Sequence, residues 1–180
     1  MSESIGLFYG SSTCYTEMAA EKIRDAIQQK LPSVIINVHN IADDCISSLK
    51  DYDYLILGIP TWDYGELQED WENHWQALDN IDLSDKRVAL FGLGDQIGYP
   101  QWFQDALGYL WAKVVDQGAS TVGLWPNEGY EFEESKALTD DKKFFLGLAL
   151  DDENQFEKTD DYVDQWCQQI LHEFDLITHG

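Results

Sequence analysis

Ile5-Gly6-Leu7-Phe8-Tyr9-Gly10-Ser11-Ser12-Thr13-Cys14-Tyr15-Thr16-Glu17 runs from an apolar stretch, through a loop rich in hydroxyl groups, into residues with helical periodicity. The opening run is apolar without alternation, as expected for a strand covered on both faces of a parallel sheet. Past the loop, Ala19, Ile23, Ala26 and Ile27 fall on one stripe at helical spacing. A strand that turns into a helix through so short a loop is the first half of a βαβ unit, and that reading organises the rest of the chain.

The same alternation continues. Residues 34–38, 54–59 and 87–91 are further strand candidates rich in Ile, Leu, Val and aromatics. Leu67, Trp71, Trp75 and Leu78 form a short helical stripe. Phe103, Ala106, Leu107, Leu110, Trp111 and Val114 form a longer one, with Pro100 placed for its first turn. Val163, Trp166, Cys167, Ile170, Leu171 and Phe174 close the chain with a third. The sum is an α/β fold: an open parallel sheet with helices on both faces, in one domain spanning residues 1–180. Residues 120–124 and 144–150 are both strand-like, and the polar, acidic segment 125–143 between them reads as an insertion dividing the fifth strand. Two separate edge strands with a hairpin are the alternative.

Composition narrows the function. Eleven Lys and Arg against 34 Asp and Glu give a net charge of −23, with a pI near 4.1. That balance argues against binding nucleic acid, whose phosphates call for cations, and against attraction to an anionic membrane. A hydrophobic content of 44% argues against disorder. No run reaches the length of a membrane span, and the N-terminus has no basic-then-apolar signal pattern. Cys14, Cys45 and Cys167 form no CxxC or Cys/His metal spacing, so a reduced, cytoplasmic chain without a metal is expected. Cys45 and Cys167 read as structural. His39, His74, His172 and His179 show neither metal nor triad spacing.

The loop from Gly10 to Glu17 has five hydroxyl side chains among its eight residues and no positive charge. At a helix start, such a loop offers backbone N–H groups and hydroxyl donors to an anion. It lacks the Gly-Lys-Ser/Thr of a Walker loop and the three glycines of a dinucleotide turn. It also lacks the Arg of a cysteine phosphatase, where this chain has Ala20, and the strand-end Asp of a phosphate receiver, where it has Tyr9 and Gly10. A Ser/Thr-rich helix cap with no ligand stays open at this point. Pro60-Thr61-Trp62-Asp63-Tyr64-Gly65 and Gly92-Leu93-Gly94-Asp95-Gln96-Ile97-Gly98-Tyr99 follow the third and fourth strands at the same sheet edge, where open α/β sheets bind ligands. Trp62 and Tyr99, each among glycines, are placed to sandwich a planar ring; core packing is the plainer reading of either one alone.

Taken in order and at this spacing, the three loops resemble the FMN-binding loops of flavodoxins, and the divided fifth strand resembles the long-chain subclass, closest to the B type of enteric and related bacteria. The likeness runs from Ile5 to Phe174 and includes Leu148-Ala149-Leu150-Asp151. It implies a flavodoxin-like doubly wound five-stranded sheet of order 2-1-3-4-5. It also implies FMN with its phosphate on Ser11, Ser12, Thr13, Cys14, Tyr15 and Thr16 and its rings between Trp62 and Tyr99. The remaining site residues implied are Pro60, Thr61, Asp63, Tyr64, Gly65, Leu93, Gly94, Asp95 and Asp151, with backbone groups around Asp63, Leu93 and Asp95 meeting the pyrimidine edge. The Asp63–Tyr64 peptide would turn its carbonyl toward the flavin, a costlier movement than where one of the pair is glycine. Cys14 departs from the glycine common in that phosphate loop.

The function implied is single-electron transfer at low potential by a carrier rather than an enzyme. The acids Glu66, Glu69, Asp70 and Glu72 fit a basic, transient redox partner such as an NADPH–flavodoxin reductase or an electron-accepting enzyme, met by a monomer. The second reading is an FMN-dependent quinone or nitro-compound reductase on the same fold, which would call for cations near the flavin that these loops lack. A flavin-free binding module is the third. A solvated helix face is the plainer account of the acids.

Overall fold

The apolar runs 5–9, 54–59 and 87–91 fold as strands covered on both sides, whereas the run 34–38 forms an edge strand with Ile35 half exposed. The computed structural model of the chain describes residues 3–11, 14–43 and 46–177. In chain order its elements are β1 (Ser4–Tyr9), α1 (Cys14–Lys30), β2 (Ile35–Asn40), a 3₁₀ turn (Ile46–Asp51), β3 (Tyr54–Trp62), β4 (Glu66–Leu67) and α2 (Glu69–Leu78). There follow β5 (Arg87–Leu93), α3 (Asp105–Asp116), β6 (Ser120–Val122), β7 (Trp125–Pro126), β8 (Phe144–Phe145), β9 (Leu148–Leu150) and α4 (Phe156–Glu173). The main sheet is parallel, in the order β2-β1-β3-β5-β6.

The fifth position is shared. β6 pairs with Arg87, Val88 and Ala89 of β5, and β9 with Phe91, Gly92 and Leu93 of the same strand. The chain leaves the sheet between them, and the ends of the excursion pair as the antiparallel β7–β8 ladder, Trp125 opposite Phe145. The division expected from the sequence is thus present, except that of the run 144–150 only Leu148–Leu150 joins the main sheet, while Phe144–Phe145 pairs with the start of the insertion.

From β1 the chain crosses to one side of the sheet, and from β3 and β5 to the other. Right-handed crossovers therefore put α1 and α3 on opposite faces. α4 packs beside α1. Surface ion pairs join them, Lys22 to Asp160 at 2.9 Å and Lys30 to Asp164 at 2.7 Å, each worth well under ~1 kcal/mol. Cys167 is buried between these helices with its thiol 3.8 Å from the Ile23 carbonyl, and burial pushes its pKa up to about 12. Cys45 lies outside the described residues. His39 stacks on Phe8 with ring centroids 4.4 Å apart, a packing role.

Two helix expectations need correcting. Pro100 is not in the first turn of α3, which begins only at Asp105; Gln104 before it has φ 62°, and that left-handed residue ends any helix reaching further back. Phe103 is buried but precedes the helix. The Pro100 carbonyl instead accepts from the amides of Glu133 and Glu134 in the insertion, at 2.8 and 3.0 Å. Leu67 belongs to β4, because Gln68 caps α2, accepting from the Asp70 and Trp71 amides.

Trp71 is fully buried, and its indole N–H donates to the Gly58 carbonyl at 2.8 Å, close to where β1 ends. The Gly10 amide donates to the same carbonyl at 3.3 Å. A Cβ at Gly10 would collide with Gln68 Oε1 and lie 2.8 Å from the Trp71 ring, so glycine lets the loop after β1 close onto α2. Trp71→Phe removes the better of the Gly58 carbonyl's two donors; urea denaturation is expected to show a loss of about 1–3 kcal/mol.

Candidate functional site

The carboxyl ends of β1 and β3 lie side by side, and the chain departs from them in opposite directions. The crevice this leaves is where a doubly wound sheet binds its ligand. A cleft of about 240 Å³ opens there. It is lined by Tyr15 and Thr16, by Pro60, Thr61, Trp62 and Asp63, by Leu93, Gly94, Asp95 and Tyr99, and by Asp152 and Glu153. Three loops far apart in sequence therefore meet in one hollow. Three larger hollows, about 720, 510 and 350 Å³, share none of these lining residues: one lies between Trp102 and the insertion, one between α2 and α3, and one between Trp125 and α4.

One end of the cleft is the start of α1. Thr16 is fully buried, yet its hydroxyl has no hydrogen-bond partner. A buried polar atom left without a partner costs roughly 1–3 kcal/mol, so its position asks for a ligand. The amides of the first helical turn point the same way, as every helix start leaves them without internal partners. Cys14 opens the helix and is exposed, and Ser11 is half-buried. Ser12 and Thr13 lie outside the described residues. Among the described residues no cation lines the cleft, so the donors it offers an anion are hydroxyls and amides.

The other end is built by a tight hairpin. β3 continues through Pro60 and Thr61 to Trp62, which pairs with Glu66 of β4, leaving Asp63, Tyr64 and Gly65 to turn the chain. Gly65 has φ 87° and backs onto Asp105 Oδ2, to which a Cβ would come within 2.9 Å. Asp63 has φ 41°, a left-handed conformation that Asp tolerates better than most residues. The Thr61 hydroxyl accepts from the Ala106 amide at 3.0 Å, so it caps α3 while its residue lines the cleft. Tyr64 and Gly65 stay outside the cleft. Tyr64 is 66% exposed and meets Trp102 and Tyr99 edge-on, with centroids 4.9 and 6.3 Å apart.

Tyr99 is 37% exposed, and its hydroxyl donates to Asp63 Oδ1 at 3.3 Å. The Asp63 carboxylate, more than any other influence, holds the Tyr99 phenol above its ordinary pKa. Asp95 fixes the turn beneath Tyr99, its Oδ1 accepting from the Gly98 amide at 2.7 Å and the Ile97 amide at 3.2 Å. Asp151 stands behind this wall. It is buried, and its carboxylate is taken up by Gln96 and Asn154.

Sequence reasoning passed over Asp152 and Glu153. Both follow β9 at the same edge as the loops, and that adjacency was the available signal. Asp152 is buried; Thr159 donates to its Oδ1, its Oδ2 lacks a partner, and burial raises its pKa. Of the acids expected to face a partner, Glu66, Glu69 and Glu72 are exposed and Asp70 half-buried; none lines the cleft, and Glu66 and Glu72 line the hollow between α2 and α3. Glu69, Asp70 and Glu72 also occupy the first turn of α2, where the helix dipole favours them, so they have a structural reason of their own.

An uncharged anion cradle joined to a slot with two aromatic side chains, at the switch point of a doubly wound parallel sheet, defines the class of nucleotide-binding α/β proteins that hold a phosphate and a ring without a glycine-rich dinucleotide turn. The flavodoxin family model matches residues 7–166. Flavodoxin 2 of Escherichia coli (strain K12) is 55% identical over 170 residues, covering 94% of this chain and 96% of that protein. A flavodoxin of Nostoc sp. is 48% identical over 176 residues, covering 98% of this chain and all of its own length. The crystal structure of Fusobacterium nucleatum flavodoxin bound to flavin mononucleotide superposes with a TM-score of 0.87 at 31% identity, covering 95% of this chain and 98% of that one. The chain belongs to the flavodoxin family, itself a standard instance of the switch-point rule.

Thr16→Val removes the stranded hydroxyl at nearly constant volume. Without ligand the variant is expected to be at least as stable as wild type by urea denaturation, while calorimetric affinity for inorganic phosphate falls about tenfold, the value of one hydrogen bond to a charged group.

Proposed function

We propose that the cleft holds FMN with its phosphate on Ser11, Ser12, Thr13, Cys14, Tyr15 and Thr16 and its ring system between Trp62 and Tyr99. The observation that carries this reading is the buried, unpartnered Thr16 hydroxyl in the same hollow as the two aromatics. As a flavodoxin, the protein is an electron carrier that uses FMN, not an enzyme with a substrate of its own. Bound FMN supplies one-electron chemistry.

The residues of the chain supply the rest. Pro60, Thr61, Leu93 and Gly94 form the walls, with backbone groups near Asp63, Leu93 and Asp95 toward the polar edge of the ring. Tyr99 and Trp62 shield the ring faces from water. Asp63, Asp95, Asp152 and Glu153 crowd carboxyl groups around the cleft, a setting that disfavours added negative charge and lowers the potential at which electrons are accepted. Tyr64 and Gly65 contribute from outside, Tyr64 by buttressing Tyr99 and Gly65 by allowing the turn.

The family carries electrons to partner proteins. The finer reading is a basic partner, such as an NADPH–flavodoxin reductase, drawn to the rim by Glu66, Glu69 and Glu72. A net charge of −23 makes such encounters fast at low ionic strength. A single FMN-binding domain over residues 1–180, acting as a monomer in the cytoplasm, completes the reading. Among the described residues no helix is long and apolar enough to cross a membrane.

Two measurements test it. Tyr99→Ala is expected to weaken FMN binding by roughly 1–3 kcal/mol in a fluorescence titration, one stacking face by analogy with bases; unchanged affinity removes Tyr99 from the ring site. Glu69→Gln with Glu72→Gln is expected to slow reduction by an NADPH–flavodoxin reductase at low salt in stopped-flow, with the difference vanishing near 1 M salt, where charges more than about 3 Å apart are screened.

A further inference from the structure

Loop 94–104 carries Tyr99 and belongs to no helix or strand over most of its length, so something else must hold it. The insertion does so at two points, and holds the start of α3 at a third. The Glu131 amide donates to Gln96 Oε1, the Glu133 and Glu134 amides donate to the Pro100 carbonyl, and the Lys136 amide donates to Asp105 Oδ1 at 2.8 Å. Gln96 is the buried side chain among the loop's own anchors, with only 2% of its surface exposed. Its side chain faces both ways: Oε1 accepts from the insertion, while Nε2 donates to Asp151 Oδ2 at 2.8 Å. Asp151 Oδ2 also accepts from the Gln96 amide at 3.1 Å and from Asn154 Nδ2 at 2.9 Å. Asn154 Nδ2 reaches on to Asp95 Oδ1 at 2.8 Å, the oxygen that receives the Gly98 amide. The Tyr99 amide closes the turn on the Asp95 carbonyl at 3.0 Å.

We propose that Gln96 is a positioning residue for the ring half of the cleft: it locks the end of β9 and the insertion to the loop that carries Tyr99, so that the aromatic wall stands in place before the ring enters. Gln96 does not line the cleft and touches no ring; it acts through Asp151, Asn154 and Asp95. Asp151 serves the same lock rather than the cofactor directly. Pre-forming a wall reduces the ordering cost that binding would otherwise include. The carboxylate is buried, and an amide suits it as partner because it donates to the acid and accepts from the insertion at once. A glutamate would set two acids against each other, and a leucine would fill the space and make neither bond. The inference rests on the ring site proposed above.

The test separates the two halves of the cleft. Gln96→Leu keeps the volume and removes both side-chain bonds. Riboflavin has the ring without the phosphate, so its affinity is expected to fall about tenfold by fluorescence quenching, and FMN affinity by a similar factor. Inorganic phosphate, measured by calorimetry, is expected to bind as in wild type. Equal losses for riboflavin and phosphate reveal a general structural defect and overturn the proposal, as does unchanged riboflavin affinity. A wild type that binds neither riboflavin nor FMN overturns the ring site itself. Should the variant not fold, hydrogen exchange on the wild-type protein without ligand decides: the amides of Glu131, Gln96, Gly98 and Tyr99 are expected to open together with equal protection. Gly98 and Tyr99 exchanging freely while Glu131 and Gln96 stay protected defeats the proposal.

Discussion

A chain with a net charge of −23 has to hold a phosphate monoester, itself carrying about −1.5 to −2 charges at neutral pH, without a cation lining the cleft. Coulomb repulsion over the whole molecule opposes that binding. In the reading proposed above, the attraction available is short-ranged: amides of the first turn of α1 and the buried Thr16 hydroxyl. Such donors act only when buried and fixed, where water neither screens them nor competes. The loop after β1 is therefore pinned from below by Gly10 and Trp71 on one carbonyl, and Thr16 is buried without a partner of its own. The sheet order puts that helix start beside the end of β3, and everything else in the cleft is arranged around it.

In the same reading, the half of the cleft proposed for the ring meets a different problem. A slot for a planar group needs walls that do not collapse onto each other before the group arrives. One wall is rigid by covalent continuity, since Trp62 ends a central strand and is locked by the hairpin to β4. The opposite wall stands on loop 94–104, whose order comes from the Asp95 turn, from Asp151, and from the insertion amides behind it. The insertion thus sits where it bears on the cleft, although it contributes no residue to its lining. Tyr64, Trp102 and Asp105 connect the two walls, with edge-on ring contacts at the exposed Tyr64 and the Gly65 turn against the buried Asp105. The acids crowding the cleft and rim serve as both electrostatics and architecture: Glu69, Asp70 and Glu72 stabilise the start of α2, while Asp95 and Asp151 are structural acceptors.

The order and type of the main elements were legible in the sequence because each has a one-dimensional signature. Runs 5–9, 54–59 and 87–91 are apolar without alternation, and the stripe through Val163, Trp166, Ile170 and Phe174 keeps helical spacing. The three loops could be read for the same reason, since hydroxyls, glycines and aromatics at strand ends are local facts. The hydroxyl-rich start of α1 and its freedom from cations needed no fold to be seen. Ten of the residues named from the loops line the cleft: Tyr15, Thr16, Pro60, Thr61, Trp62, Asp63, Leu93, Gly94, Asp95 and Tyr99.

Only the tertiary structure decided what each residue does there. Pro100 reads as a helix start until Gln104 is seen in a left-handed conformation with the insertion's amides on the Pro100 carbonyl. Asp151 is named in the sequence as a site residue, but that its oxygens accept from Gln96 and Asn154 shows only in the fold, and Asp152 goes unnamed until β9 delivers it to the cleft. The reason is physical. Periodicity and turn chemistry depend on neighbours along the chain, which the sequence states outright. Burial of a polar atom and the identity of its partner depend on segments that meet across tens of residues, Glu131 with Gln96 or Thr61 with Ala106, and those meetings exist only once the sheet has fixed the distances.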